Sequence, residues 1–327
     1  MLRHRADRRT LLWAFVLFPV VGFAPYVEPR LIPWLLPITL YCGFCAGVFS
    51  HNHNHCPTFK SRGMNAFYSV WLSVFYGFPT FAWIPTHNLN HHKYVNKAGD
   101  ATITWRYSKR HTWAIASSYY FVSAYWQADV IREFIAKAKA GNRSLYRQIV
   151  SQYATLVGVQ VGLLALAIAV AVEVHHVAWW RGIVIWFFGF GISAMFANWS
   201  MIFINYIQHV HADPWSEHNH SRNFVSKPAN WWFFNAGYHA AHHESAGLHW
   251  SKLQEAHGKI AHLIDPELNQ PSIAWFCFRS YFLGMFSDRF RTHQVGRAAY
   301  DPPNGGELKL ETASVSAVEV GVNASMA

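Results

Sequence analysis

Leu31-Ile-Pro-Trp-Leu-Leu-Pro-Ile-Thr-Leu-Tyr-Cys-Gly-Phe-Cys-Ala-Gly-Val-Phe-Ser50 contains no charged residue and runs directly into His51-Asn-His-Asn-His55. A run of this length and character spans a bilayer as a helix. His51 and His55 are four positions apart, so a helix that continues past Ser50 projects them from one face. Paired imidazoles at the end of a span put metal-ligand chemistry at a membrane boundary. His53 points to another face and reads as a residue behind the ligands or a solvated one.

Residues 11–27, 148–172 and 182–208 also lack Lys, Arg, Asp and Glu. The first is expected to pair with 31–50 across Pro25-Tyr-Val-Glu-Pro-Arg30, and Pro19 to kink it. The other two pair across Glu173-Val-His-His-Val-Ala-Trp-Trp-Arg181. Residues 63–92 are equally uncharged but carry Pro79, Pro85 and polar Asn and His. They read as a segment at the interface or beneath a catalytic domain, in preference to a fifth span. The fold class expected is an all-α integral membrane protein with four transmembrane helices in two hairpins and a cytoplasmic, helical, His-rich catalytic domain. Its segments are 1–50 (basic N-terminus and first hairpin), 51–147 (first two His clusters), 148–208 (second hairpin), 209–300 (third cluster) and 301–327, a small polar tail that reads as disordered.

Composition agrees with a membrane part joined to a polar part. Hydrophobic residues make up 52% of the chain and charged residues 13%, about half the usual charged share of a soluble protein. The net charge of +10 would suit nucleic acid, but its distribution points elsewhere. Arg3, Arg5, Arg8 and Arg9 precede the first run, twelve Lys or Arg lie in 51–147 and nine after 208, whereas the two outer turns hold only Arg30 and Arg181. The positive-inside rule then puts both termini and every His cluster in the cytoplasm, with lipid rather than nucleic acid as the partner. Cys42 and Cys45 lie inside an apolar run and read as packed small residues. With no second CxxC, the chain has no zinc-ribbon or rubredoxin-type centre.

The remaining clusters are His87-Asn-Leu-Asn-His91-His92 and His239-Ala-Ala-His242-His243. His87 and His91 are expected to share a helical face, with His92 about 100° away; His239, His242 and His243 repeat the geometry. Asn205 and His209 are again four apart, at the end of the fourth run, and His211 is off that face. Nine histidines plus Asn205 match two metal ions better than one tetrahedral zinc. Imidazole suits Zn, Cu, Fe and Ni; Cys and Met do not join the clusters, which argues against a soft copper site. The Glu-x-x-His pairs of soluble di-iron bundles are absent. His4, His111, His175, His176, His218, His220, His257, His262 and His293 read as packed or solvated side chains.

These boxes, together with Asn205-Tyr-Ile-Gln-His209 and Gly237-Tyr-His-Ala-Ala-His-His243, resemble the membrane fatty acid desaturase and hydroxylase superfamily over residues from about 30 to 285. The resemblance implies a non-haem di-iron centre that uses O₂ and two electrons. It implies iron binding by His51, His55, His87, His91, His92, His209, His239, His242 and His243, with Asn205 approaching one metal through water. Asp100 and Asp213 become candidate carboxylates orienting the ligands, and His53 and His211 candidates for the same outer layer. The reaction implied is introduction of a C=C bond into an alkyl chain; hydroxylation, or decarboxylation to a terminal alkene, is the alternative. Electrons must come from another protein, such as a ferredoxin, rubredoxin or cytochrome b5-like donor. Lys93, Lys97, Arg106, Lys109 and Arg110 offer it a basic face, one equally suited to anionic headgroups.

Overall fold

The computed structural model describes residues 1–306, 308 and 310. Most of the tail expected to be disordered therefore lies outside the described residues. Four helices are long and apolar enough to cross a membrane: Asp7–Val27, Pro29–His55, Arg143–Val174 and Trp180–His209. Each exceeds its uncharged run because flanking polar residues remain in the helical hydrogen-bond pattern. Just before Pro19 the first span widens into a π-helical turn, Trp13–Leu17. A proline removes one helical donor and crowds the carbonyl four residues back, and a wider turn relieves both. Glu28 leaves the helix with extended backbone, and its carboxylate accepts the Arg30 amide at 3.0 Å, closing the first hairpin. The second hairpin starts where the Asn142 side chain caps the amide of Leu145 at 3.0 Å.

The chain divides into two compact units. The first contains Met1–Trp83 and Ile135–Met201. Its helices approach backbone to backbone where glycine allows it. A Cβ on Gly43 would lie 2.3 Å from the Ser193 carbonyl oxygen, and one on Gly189 would lie 2.4 Å from that of Gly22. Close approach through small residues is how helices associate where lipid offers no hydrophobic driving force. Cys42 and Cys45 are buried free thiols in this packing.

Arg62–Tyr76 forms a separate helix, capped by the Ser61 side chain at one end and by Gly77 at φ +74° at the other. Its 15 residues span roughly 22 Å, too short for a fifth crossing. It packs beside the second span. There His53 is buried, with Nδ1 3.0 Å from the Thr58 hydroxyl and Nε2 3.3 Å from the Asn65 carbonyl. Trp71 donates to the Ala14 carbonyl at 2.8 Å and stacks on Phe15.

The second unit contains Ile84–Phe134 and the described residues from Ile202 onward. Apart from the helix that begins at Trp113 and the end of the fourth span, its elements are short and tied by loops. A parallel two-residue pairing joins Asn223–Phe224 to Asn269–Gln270. Ala212, Ala240, Ile264 and Leu268 form a small core beneath the third His cluster.

Candidate metal centre

The second span stays helical through His55, so His51 and His55 do share a face, with ring centroids 4.7 Å apart. The second cluster departs from the 3.6-residue expectation. Ile84–His91 is a π-helix, in which residues five apart come into register. His87 Nε2 consequently faces His92 Nε2 at 3.1 Å. His91 stacks on His87 with centroids 5.1 Å apart, but its Nε2 turns to His209 Nε2 at 3.1 Å. The short helix His239–Glu244 divides the third cluster in the same way. His239 and His243, four apart, bring Nε2 atoms to 3.1 Å, while His242 Nε2 lies 3.0 Å from His92 Nε2.

The second unit thus holds two sets of converging imidazoles. His91, His209, His239 and His243 each offer one nitrogen within 4.8 Å of the others, and His209 Nε2 is 2.9 Å from His239 Nε2. His87, His92 and His242 form the other set. For a metal–nitrogen bond of about 2.1 Å, ligands at right angles around an ion sit ~3.0 Å apart. The observed separations therefore suit donors around a shared ion. Burial holds the His243 ring well below its ordinary pKa, reinforced by the neighbouring imidazoles His92, His239, His209 and His91. The neutral ring is the form that binds a metal. Asn205, one turn before His209, has a buried Nδ2 with no hydrogen-bond partner among the described residues. A water or ion ligand near it would satisfy that orphan. The donor set fits a pair of imidazole-bound metals.

The outer contacts sort the remaining expectations. Asp100 is fully buried, and its Oδ2 is 2.8 Å from His91 Nδ1. Burial alone would raise its pKa, but the charge and hydrogen bond of His91, with the hydrogen bonds of Thr102, outweigh that and hold the carboxyl at about 2. A carboxylate on Nδ1 directs the His91 Nε2 lone pair inward. His209 Nδ1 donates to the His220 carbonyl at 3.1 Å, with the same effect. Asp213 instead accepts the backbone amides of Trp215 and Arg297, both at 2.9 Å, and these bonds bind its two oxygens to a loop rather than to a histidine. His211 meets His111 edge to face, 5.6 Å between centroids, and burial together with Arg222 lowers its pKa to about 4. His53 bonds to residues 58 and 65, as described above.

Sequence reasoning passed over Asn96 and His220. Asn96 adopts left-handed backbone, φ +63°, donates from Nδ2 to the His209 carbonyl at 3.2 Å and gives its amide to Asp100 at 2.7 Å. A lone Asn in a loop carries no periodic signal. His220 was passed over because its contribution to His209 is a backbone oxygen, which no sequence pattern reveals.

A helical membrane protein with paired polyhistidine sets defines a class, and comparison gives the family. The fatty acid desaturase family model matches residues 29–275, and the chain belongs to that family. No curated protein and no solved structure matches it. Membership makes the protein a desaturase-like oxidoreductase that acts on fatty acyl chains in a lipid setting, in a family that is typically iron-dependent.

Proposed function

We propose that the protein is an O₂-dependent di-iron desaturase that introduces a C=C bond into a fatty acyl chain. The observation that carries this reading is the set of facing imidazole nitrogens, 2.9–3.1 Å apart, backed by Asp100 and the His220 carbonyl. His91, His209, His239 and His243 bind one iron, with Asn205 nearby through water. His87, His92 and His242 bind the other, and the family resemblance adds His51 and His55 to that set. When bound, the iron pair supplies the oxidation of two adjacent C–H bonds by O₂ and two electrons. The chain's residues do the rest. Asp100 and His220 keep the protons of His91 and His209 on Nδ1. The apolar spans hold the alkyl chain and keep bulk water from it. The distribution of Lys and Arg supports both termini and the His clusters on the cytoplasmic side. With no cysteine set of its own, the enzyme takes electrons from a ferredoxin, rubredoxin or cytochrome b5-like donor.

Expression in a bacterial host, with mass spectrometry of total fatty acids and hydrocarbons, tests the reading. Wild type should yield chains two hydrogens lighter, and His91→Ala should not, while remaining in the membrane. Hydroxylated chains or terminal alkenes in place of internal double bonds would overturn the assigned outcome.

A further inference from the structure

The fourth span ends at His209, where the last helical carbonyls lose their usual partners. One buried residue takes up most of them. Arg222, 1% exposed, donates from Nη1 to the carbonyls of Ile207 at 2.6 Å and Val210 at 3.0 Å, and its backbone amide donates to Gln208 at 2.6 Å. Asn96 takes the His209 carbonyl. Arg222 Nη2 donates to the Thr292 hydroxyl at 3.0 Å, and the guanidinium lies 4.7 Å over the Phe276 ring. Among the described residues these hydrogen bonds go to carbonyls and a hydroxyl, not to a carboxylate. The negative end of the helix, at which the guanidinium aims its donors, offsets part of the cost of burying this cation. Its planar fork reaches several carbonyls at once, which an ammonium does not.

The flanking residues act on the same set. The His220 carbonyl holds His209 Nδ1, and Asn223 Oδ1 accepts the Ala240 amide at 2.8 Å, in the first turn of the helix that carries His239 and His243. Residues 220, 222 and 223 therefore fix, in order, the ring of His209, the turn that bears it, and the helix that presents its neighbours.

We propose that Arg222 is the positioning residue of this iron set: by clamping the terminal turn of the fourth span it aims His209 Nε2 at the Nε2 atoms of His91 and His239. The proposal rests on the di-iron reading above. The test is iron content per chain and the Mössbauer spectrum of ⁵⁷Fe-loaded protein, purified in detergent, for wild type, Arg222→Gln, Arg222→Lys and Thr292→Val. Arg222→Gln should keep about half the wild-type iron, lose or alter one of two iron environments, and slow turnover at least ~10-fold. Arg222→Lys should recover part of the iron. Thr292→Val removes the hydroxyl that aims the guanidinium but leaves its charge, so it reports even if Arg222→Gln does not accumulate. It should shift the same iron environment. Wild-type iron content and spectra in Thr292→Val and in whichever Arg222 variants accumulate would overturn the role of Arg222 alone. A wild type without iron would overturn the reading beneath it.

Discussion

Asp100 shows how one side chain governs another's chemistry. Its carboxylate is buried, receives hydrogen bonds from Thr102 and the Asn96 amide, and spends its remaining capacity on His91. Asp100→Asn keeps the volume but removes the charge that favours one tautomer of His91. Iron affinity or turnover should fall about 10–100-fold, as for other partners of metal-bound histidines; a change below about twofold in both would contradict the assignment. His257 gives a residue-scale pH test. It is buried with its ring 5.1 Å from Tyr238, and burial lowers its pKa. The unfolded chain binds a proton there below about pH 6.5 while the folded chain resists it, so this contribution to stability falls as pH drops. In His257→Phe, the unfolding temperature should decline less steeply between about pH 7 and pH 5; parallel profiles would contradict this. The residue types at the site were legible because ligand spacing is local. Asp100 and Asp213 could not be told apart in sequence, since both are loop acids and only the folded path of each loop decides which meets an imidazole.

The decisive element is the π-helix Ile84–His91. The wider turn brings His92 Nε2 to His87 Nε2, while His91, still stacked on His87, turns its own Nε2 to His209. Histidine spacing gives the existence of the cluster, but the hydrogen-bond pattern that selects i+4 or i+5 partners is set by packing. Inserting an alanine after Leu89 would set His87 and His92 six positions apart, a separation that neither an α-turn nor a π-turn brings to one face, and should rotate His87 away from His92. The protein should remain in the membrane yet lose turnover. Retained wild-type activity would show that the five-residue register is dispensable. The spans were the most legible elements, because an uncharged run long enough to cross a bilayer has few alternative fates. Their close approach at Gly43 was not legible, since glycine spacing does not say which helix lies opposite. Gly43→Leu should reduce the amount of folded protein recovered from membranes, because the added side chain meets a backbone carbonyl that cannot yield.

At the scale of the whole molecule, the distribution of Lys and Arg supports a single sidedness, with both termini cytoplasmic. A cysteine placed at Lys139 should react with an impermeant thiol reagent only when the cytoplasmic face is exposed; labelling of intact cells would reverse the topology. The central claim is that the histidines hold a pair of irons and not a single ion. Iron per chain in wild-type protein, purified after expression in iron-replete medium, tests it most directly. The account predicts close to two irons per chain, lost in step with turnover on chelation; one tightly bound metal per chain in the active enzyme would contradict it.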